Sequence, residues 1–120
     1  MCGIAGFLGR PLSSMLPRAI LERMIGAIAY RGPDAQGFFV DDQVGLAHAR
    51  LSIIDLATGQ RPMANADQTI FVTFNGEIFN YVELRADLIA RGHRFRTDSD
   101  TEVILHAYAE KGPDCVKDFN

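Results

Sequence analysis

The sequence predicts an α+β chain with a mostly antiparallel sheet. Short apolar runs alternate with turn signals, helical periodicity appears in only three places, and the central β segments are joined by links of hairpin length. The expected order is β-α-β-β-β-β-α-β-α, and closely linked strands pair antiparallel where a doubly wound parallel sheet would need a helix between them. The 120 residues suffice for one domain and are few for two. With 48% apolar and 22% charged residues, the chain has the composition of a globular protein with a core.

Gly3 to Leu8 is apolar, short and bounded by Gly9-Arg10-Pro11, which reads as a buried strand. Pro17 suits the first position of a helix. Ile20, Met24 and Ile28 recur at helical spacing, Leu21 and Ile25 widen the apolar face, and Gly32-Pro33 stops the helix near Tyr30. Phe38–Val40 and Val44–Ala49 follow as strands around the polar turn Asp41-Asp42-Gln43. In the second, Val44, Leu46 and His48 share one face. Gly45, Ala47 and Ala49 make the other face unusually small, so another layer can approach closely.

Leu51–Leu56 reads as a strand and 57–67 as a polar, turn-rich loop. Thr69–Phe74 alternates as a strand and Asn75-Gly76 ends it. Asn80 with Glu83 has the spacing of a capping box, opening a helix through Leu84, Leu88 and Ile89 to a stop at Gly92. His93–Thr97 reads as a short strand. Ser99 with Glu102 forms a second capping box, Glu102 being assigned to the cap alone, before a helix with Val103, Ile104, Ala107 and Tyr108 that ends at Gly112-Pro113. Residues 114–119 are too few to assign. No internal repeat, low-complexity tract or linker is visible.

A net charge of −3 without a basic block argues against nucleic acid or anionic membrane as partner. No run approaches the roughly 20 apolar residues of a membrane span, and the N-terminus lacks a signal-peptide pattern. Two cysteines, Cys2 and Cys115, form neither a C-x-x-C motif nor an even-numbered secreted framework. The expected location is cytoplasmic. His48, His93 and His106 have no metal-ligand spacing and read as structural or surface histidines.

Cys2 directly follows the initiator methionine. Removing Met1 would place a thiol and a free α-amine on one residue. An α-amine of pKa about 7.7–8.0 is partly unprotonated near neutral pH and can act as base for a thiol that ionises near 8.5. A nucleophile paired with an N-terminal amine is a recognised means of activation.

Four further strings accompany it: Arg31-Gly32-Pro33-Asp34, Arg50-Leu51-Ser52-Ile53-Ile54-Asp55, Phe74-Asn75-Gly76-Glu77-Ile78-Phe79-Asn80 and Ser99-Asp100-Thr101-Glu102-Val103. With Met1-Cys2-Gly3-Ile4-Ala5-Gly6 they resemble, in this order and over essentially all 120 residues, the class II (N-terminal-nucleophile) glutamine amidotransferases. Within that superfamily the glutaminase part of glutamine-hydrolysing asparagine synthetases is the closest resemblance. It implies the layered α/β/β/α sandwich of N-terminal-nucleophile hydrolases, only partly present here. It also implies hydrolysis of glutamine through a γ-glutamyl thioester, releasing ammonia to a second active site.

The resemblance makes Cys2 the nucleophile, with the Asn75 side-chain amide and the Gly76 N–H as oxyanion donors. One such donor typically contributes about 2.7–4 kcal/mol to lowering the barrier. Arg50 is implied to hold the substrate carboxylate, which a guanidinium matches bidentately. Asp100 is implied to hold the substrate ammonium, with Glu77 in the adjoining binding segment and backbone groups of Leu51, Ser52, Ile53 and Ile54 lining the pocket. An Asp at a helix N-terminus is also favourable in its own right.

Family members continue beyond the equivalent of Asn120 into more strands and then an ATP-using synthetase domain, whose Ser-Gly-Gly-x-Asp-Ser string is absent here. Residues 1–120 are thus expected to be a partial glutaminase domain. No cofactor is expected for it, and ATP and magnesium belong to the missing domain. Glutamine, that synthetase domain and a second copy in a homodimer are the partners the resemblance allows. Alone, the chain is expected to show apolar residues such as Ile70, Val72 and Phe74 to water and to aggregate. Two alternatives stay open: a catalytically inert glutamine-binding fragment, and the glutaminase of a related amidotransferase with another ammonia acceptor.

Overall fold

The computed structural model of the chain describes residues 2–9, 15–51 and 61–120. They form two compact units, one of Met1–Pro62 with Thr73–Asn75, the other of Met63–Val72 with Gly76–Asn120.

The first unit contains β1 (Gly3–Leu8), α1 (Pro17–Gly26), β2 (Ala35–Val40) and β3 (Val44–Arg50). The sheet order is β1-β3-β2 and every pairing is antiparallel. Side chains alternate across a strand, so β3 sorts its residues by size onto two faces. Ala47 and Ala49 lie fully buried against Leu21 and Ile25 of α1, with Ala5, Phe7, Ile28, Phe38 and Val40 packed around them. The close approach expected of the small face is therefore made by the amphipathic helix. In the β2–β3 turn the Asp41 carboxylate accepts from the amides of Gln43 and Val44, both at 2.7 Å, which closes the hairpin.

Pro17 is in the first turn of α1, as expected, and an Arg18–Glu22 pair one turn apart braces its exposed side. The helix stops at Gly26, earlier than the sequence suggests, and Ala29–Arg31 forms a 3-10 turn. Ile28 between them leaves helical geometry (φ −119°, ψ 18°). Its side chain packs where a Cβ on Gly3 would come to 3.0 Å, so the break brings Ile28 over the start of β1. The strand expected at Leu51–Leu56 lies outside the described residues apart from Leu51, which has no regular structure.

The second unit contains β4 (Met63–Ala64) and β5 (Phe71–Val72), an antiparallel pair, with α2 (Tyr81–Ala90), α3 (Asp100–Lys111) and a 3-10 turn at Gly112–Asp118. The expected 57–67 loop thus holds a short strand, and the expected Thr69–Phe74 strand shortens to two paired residues. The Asn65 side chain explains the tight link, accepting from the amides of Thr69 and Ile70 at 2.9 Å each. Ile70, Val72 and Phe74 are half-buried. The first two line an open pocket of about 440 Å³ with Phe71 and with Ile104, Leu105 and Tyr108 of α3. Leu88, Val103, Ala107 and Cys115 form this unit's core, covered by Tyr81, Leu84, Phe95 and Phe119.

Both expected capping boxes change on inspection. Ser99 does cap α3, its hydroxyl accepting from Thr101 N at 3.2 Å. Asn80 precedes α2 but makes no side-chain cap. Its amide donates to Asp118 O at 2.8 Å and its carbonyl accepts from Asn120 N at 2.9 Å, a long-range match that outcompetes the local one. Glu102 is not spent on the cap either. Only 5% exposed, it accepts from the amides of Arg96 (2.8 Å) and Thr97 (2.7 Å) and from the Thr97 hydroxyl (2.6 Å). That carboxylate supplies the acceptors a neighbouring strand would have supplied, so His93–Thr97 is a loop and not the expected strand. Beside it His106 contacts Glu102 at 3.5 Å and meets His93 nitrogen to nitrogen at 3.0 Å, while Glu110 pairs with His93 and Arg91.

Burial pushes the Glu102 carboxyl up, but the Thr97 hydroxyl, the Arg96 and Thr97 amides and the charge of His106 together hold it below its ordinary value. A depressed carboxyl contributes stability that is present above the ordinary carboxylate pKa of about 4.3. That contribution is lost as pH falls through the lower folded value. Glu102→Gln should therefore cost about 1.5–3 kcal/mol at neutral pH in urea unfolding, with the difference from wild type shrinking below pH 4.

Candidate active site

In the first unit the main-chain carbonyl of Cys2 is a shared acceptor. Arg31 Nε donates to it at 3.2 Å and Asn75 Nδ2 at 2.9 Å. Cys2 is half-buried just before β1, and Asn75 is exposed. Two of the residues expected in the site, 73 positions apart in sequence, are thus in direct contact. Arg31 has no role assigned from the Arg-Gly-Pro-Asp string alone, and only the fold aims it at residue 2.

Gly32 explains how Arg31 reaches that place. A Cβ at Gly32 would collide with the Ala49 carbonyl and the Arg50 nitrogen, so the chain lies directly on the end of β3. Asp34 N then donates to Arg50 O at 3.0 Å, and Ala35 pairs with Arg50 as β2 begins. The same contact seats Arg50, half-buried at the last position of β3. Leu51 follows it, half-buried; Ser52, Ile53 and Ile54 lie outside the described residues.

One further buried polar group belongs to this unit. His48 on β3 is 2% exposed, and its Nδ1 lies 3.0 Å from Thr73 Oγ1. Its Nε2 is buried with no hydrogen-bond partner among the described residues. Burial and then the charges of Arg61 and Arg50 lower its pKa to about 4, which keeps the ring neutral at physiological pH.

The remaining expected residues belong to the second unit. Gly76 and Glu77 are exposed, and Gly76 directly follows Asn75 in the chain. Asp100 opens α3, where its charge is favoured. Its Oδ2 accepts from Ile78 N at 3.1 Å, fastening the Gly76–Ile78 segment to the helix start. Among the described residues its Oδ1 accepts at long range from the hydroxyls of Ser99 (3.5 Å) and Thr101 (3.4 Å). Among the described residues no group of three or more His, Cys, Asp and Glu is placed to hold a metal ion. No helix among them is long and apolar enough to cross a membrane.

Residues 1–120 match the family model of a glutamine amidotransferase domain. The chain is 50% identical over 121 residues to glutamine-hydrolyzing asparagine synthetase 2 of Bacillus subtilis (strain 168), covering 99% of this chain and 16% of that protein. It is 46% identical over 110 residues to asparagine synthetase 1 of the same organism, covering 90% and 17%. It is 46% identical over 116 residues to asparagine synthetase 1 of Arabidopsis thaliana, covering 97% and 20%. The chain therefore spans one fifth or less of the length of these relatives.

Because Gly32 touches the β3 backbone, Gly32→Ala should lower stability by about 2–3 kcal/mol through overpacking. Denaturant midpoints measured for the two proteins check this. A midpoint equal to wild type would show that the contact is looser than described.

Proposed function

The chain belongs to the glutamine amidotransferase domain family, and on that premise we propose that it hydrolyses glutamine to glutamate and ammonia through a thioester on Cys2. The observation that carries this reading is the bond from the Asn75 amide to the Cys2 carbonyl, which sets an oxyanion donor beside the candidate nucleophile.

Met1 is removed, and the freed α-amine takes the thiol proton. The thiolate attacks the glutamine side-chain carbonyl carbon, and the oxygen takes up negative charge. The Asn75 amide and the Gly76 N–H stabilise that charge. Collapse breaks the carbon–nitrogen bond, the departing nitrogen collects the proton as ammonia, and water then cleaves the thioester to glutamate. Arg50 pairs with the substrate carboxylate and Asp100 with its ammonium. Glu77 and the backbone of Leu51, Ser52, Ile53 and Ile54 complete the binding surface.

Residues 1–120 are, in this reading, part of a larger glutaminase domain, joined in the parent protein to a synthetase domain that uses ATP and magnesium to make asparagine from the ammonia. The similarity to asparagine synthetases that cover far more sequence supports this arrangement. The site would operate in the cytoplasm without a cofactor of its own.

A glutamine-mimicking electrophile should leave one adduct, on an N-terminal Cys2. Cys115 is 1% exposed, and burial pushes its thiol up into the protonated form, so it should stay unlabelled. Mass spectrometry that finds the label on Cys115, or an active protein retaining Met1, would refute the assignment. In turnover assays on the parent protein, Cys2→Ser should abolish glutamate release. Asn75→Ala should lower kcat by about 100- to 1000-fold with a much smaller change in KM. A rise in KM at normal kcat would make Asn75 a binding residue instead.

A further inference from the structure

We infer that His48 is a positioning residue for the Asn75 amide: a buried imidazole on β3 clamps Thr73 and so fixes the segment Thr73–Asn75 on the sheet that carries Cys2. The inference rests on the glutaminase reading of Cys2 and Asn75.

Two side chains of that segment, two residues apart, are each tied to this sheet region. Thr73 meets His48 at 3.0 Å and Asn75 meets the Cys2 carbonyl at 2.9 Å. In the register of the sheet His48 is opposite Ile4, two residues from Cys2. The anchors are therefore neighbours on adjacent strands, and a slip of one residue would offer Phe74 to one of them and withdraw the amide. An amide held by a single bond from an exposed residue would swing. The second tie restrains it.

The ring itself has one place to act. Its Nε2 is buried without a partner among the described residues, a standing cost that an aliphatic side chain at this position would not carry. What the imidazole adds is the bond at Nδ1. Burial and the charges of Arg61 and Arg50 keep the ring neutral, so it carries a single N–H proton, and the Thr73 hydroxyl, which can accept or donate, completes the bond at Nδ1. Gly37, the register partner of His48 on β2, has the Arg61 main chain where its Cβ would be. That close cover leaves no room beside the ring for a bulkier neighbour.

The test uses the parent protein. Thr73→Val and His48→Leu should each lower kcat for glutamine hydrolysis by about 10- to 100-fold through misplacement of the donor. KM should change by less than about threefold. The double variant should be no worse than the more impaired single, since both remove one bond. Thr73→Ser keeps the hydroxyl and His48→Asn keeps a hydrogen-bonding group near the Nδ1 position, so both should restore most of the activity. An independent readout is NMR hydrogen exchange at the Asn75 side-chain amide, protected in wild type and faster in Thr73→Val. Losses that multiply in the double variant, a change confined to KM, or unaltered exchange at Asn75 would overturn the clamp. A wild-type protein that exchanges as expected but releases no glutamate would overturn the glutaminase reading and leave the clamp standing.

Discussion

The alternation of side chains along β3 is the constraint on which the first unit depends. This strand is paired on both edges, so its two faces are fixed by its neighbours. One face presents Ala47 and Ala49, small enough for Leu21 and Ile25 of α1 to lie fully buried against them. The opposite face presents His48, which reaches Thr73. Its end presents Arg50, over which Gly32 passes in backbone contact. Shifting β3 by one residue would exchange core for polar face and dismantle all three arrangements together. Helix packing and the surroundings of Cys2 are two readings of one register.

In the second unit a buried acid has the comparable role. Glu102 holds three donors from residues 96 and 97 while lying on α3, so the loop before the helix is organised from within the helix. Asp100, two residues earlier, does the same for Ile78. Ser99 caps the helix between these two demands. A helix N-terminus rich in acceptors thus serves two loops as well as its own amides. His106 and Glu110 extend the polar chain along α3 to His93 and Arg91.

Much of this was legible where local chemistry decides. Gly3–Leu8 is a strand with the expected bounds, because a short apolar run between turn residues has few other uses, but it is not buried as expected: Ile4, Gly6 and Leu8 are exposed on one face. The small face of β3 announced a closely packed layer, which α1 supplies. Gly92 and Gly112 end their helices with φ of +100° and +57°, conformations that side-chain-bearing residues avoid. Illegibility began where a distant partner outbid a local one. Asn80 and Ser99 show the same spacing to a glutamate, yet only Ser99 caps, because Asp118 and Asn120 come back to Asn80. No pattern within His93–Thr97 reveals that a carboxylate five residues on replaces a strand partner. In the candidate site, Cys2 and Asn75 are legible by their types and strings. Arg31 and His48 act through distances that only the fold creates.

The grip on residue 2 is made on its main-chain carbonyl, to which the side chains of Arg31 and Asn75 both donate, and that acceptor is the same whatever side chain residue 2 carries. Location and side-chain chemistry at this position are consequently separate properties. The scaffold would seat a hydroxyl-bearing residue, or a reporter amino acid of similar size, with the same two donors and no retuning elsewhere. A lineage, or an engineer, can therefore exchange the side chain at this position in a single step while keeping the acceptor that places it. The main chain stores the address; the side chain is free to vary as cargo.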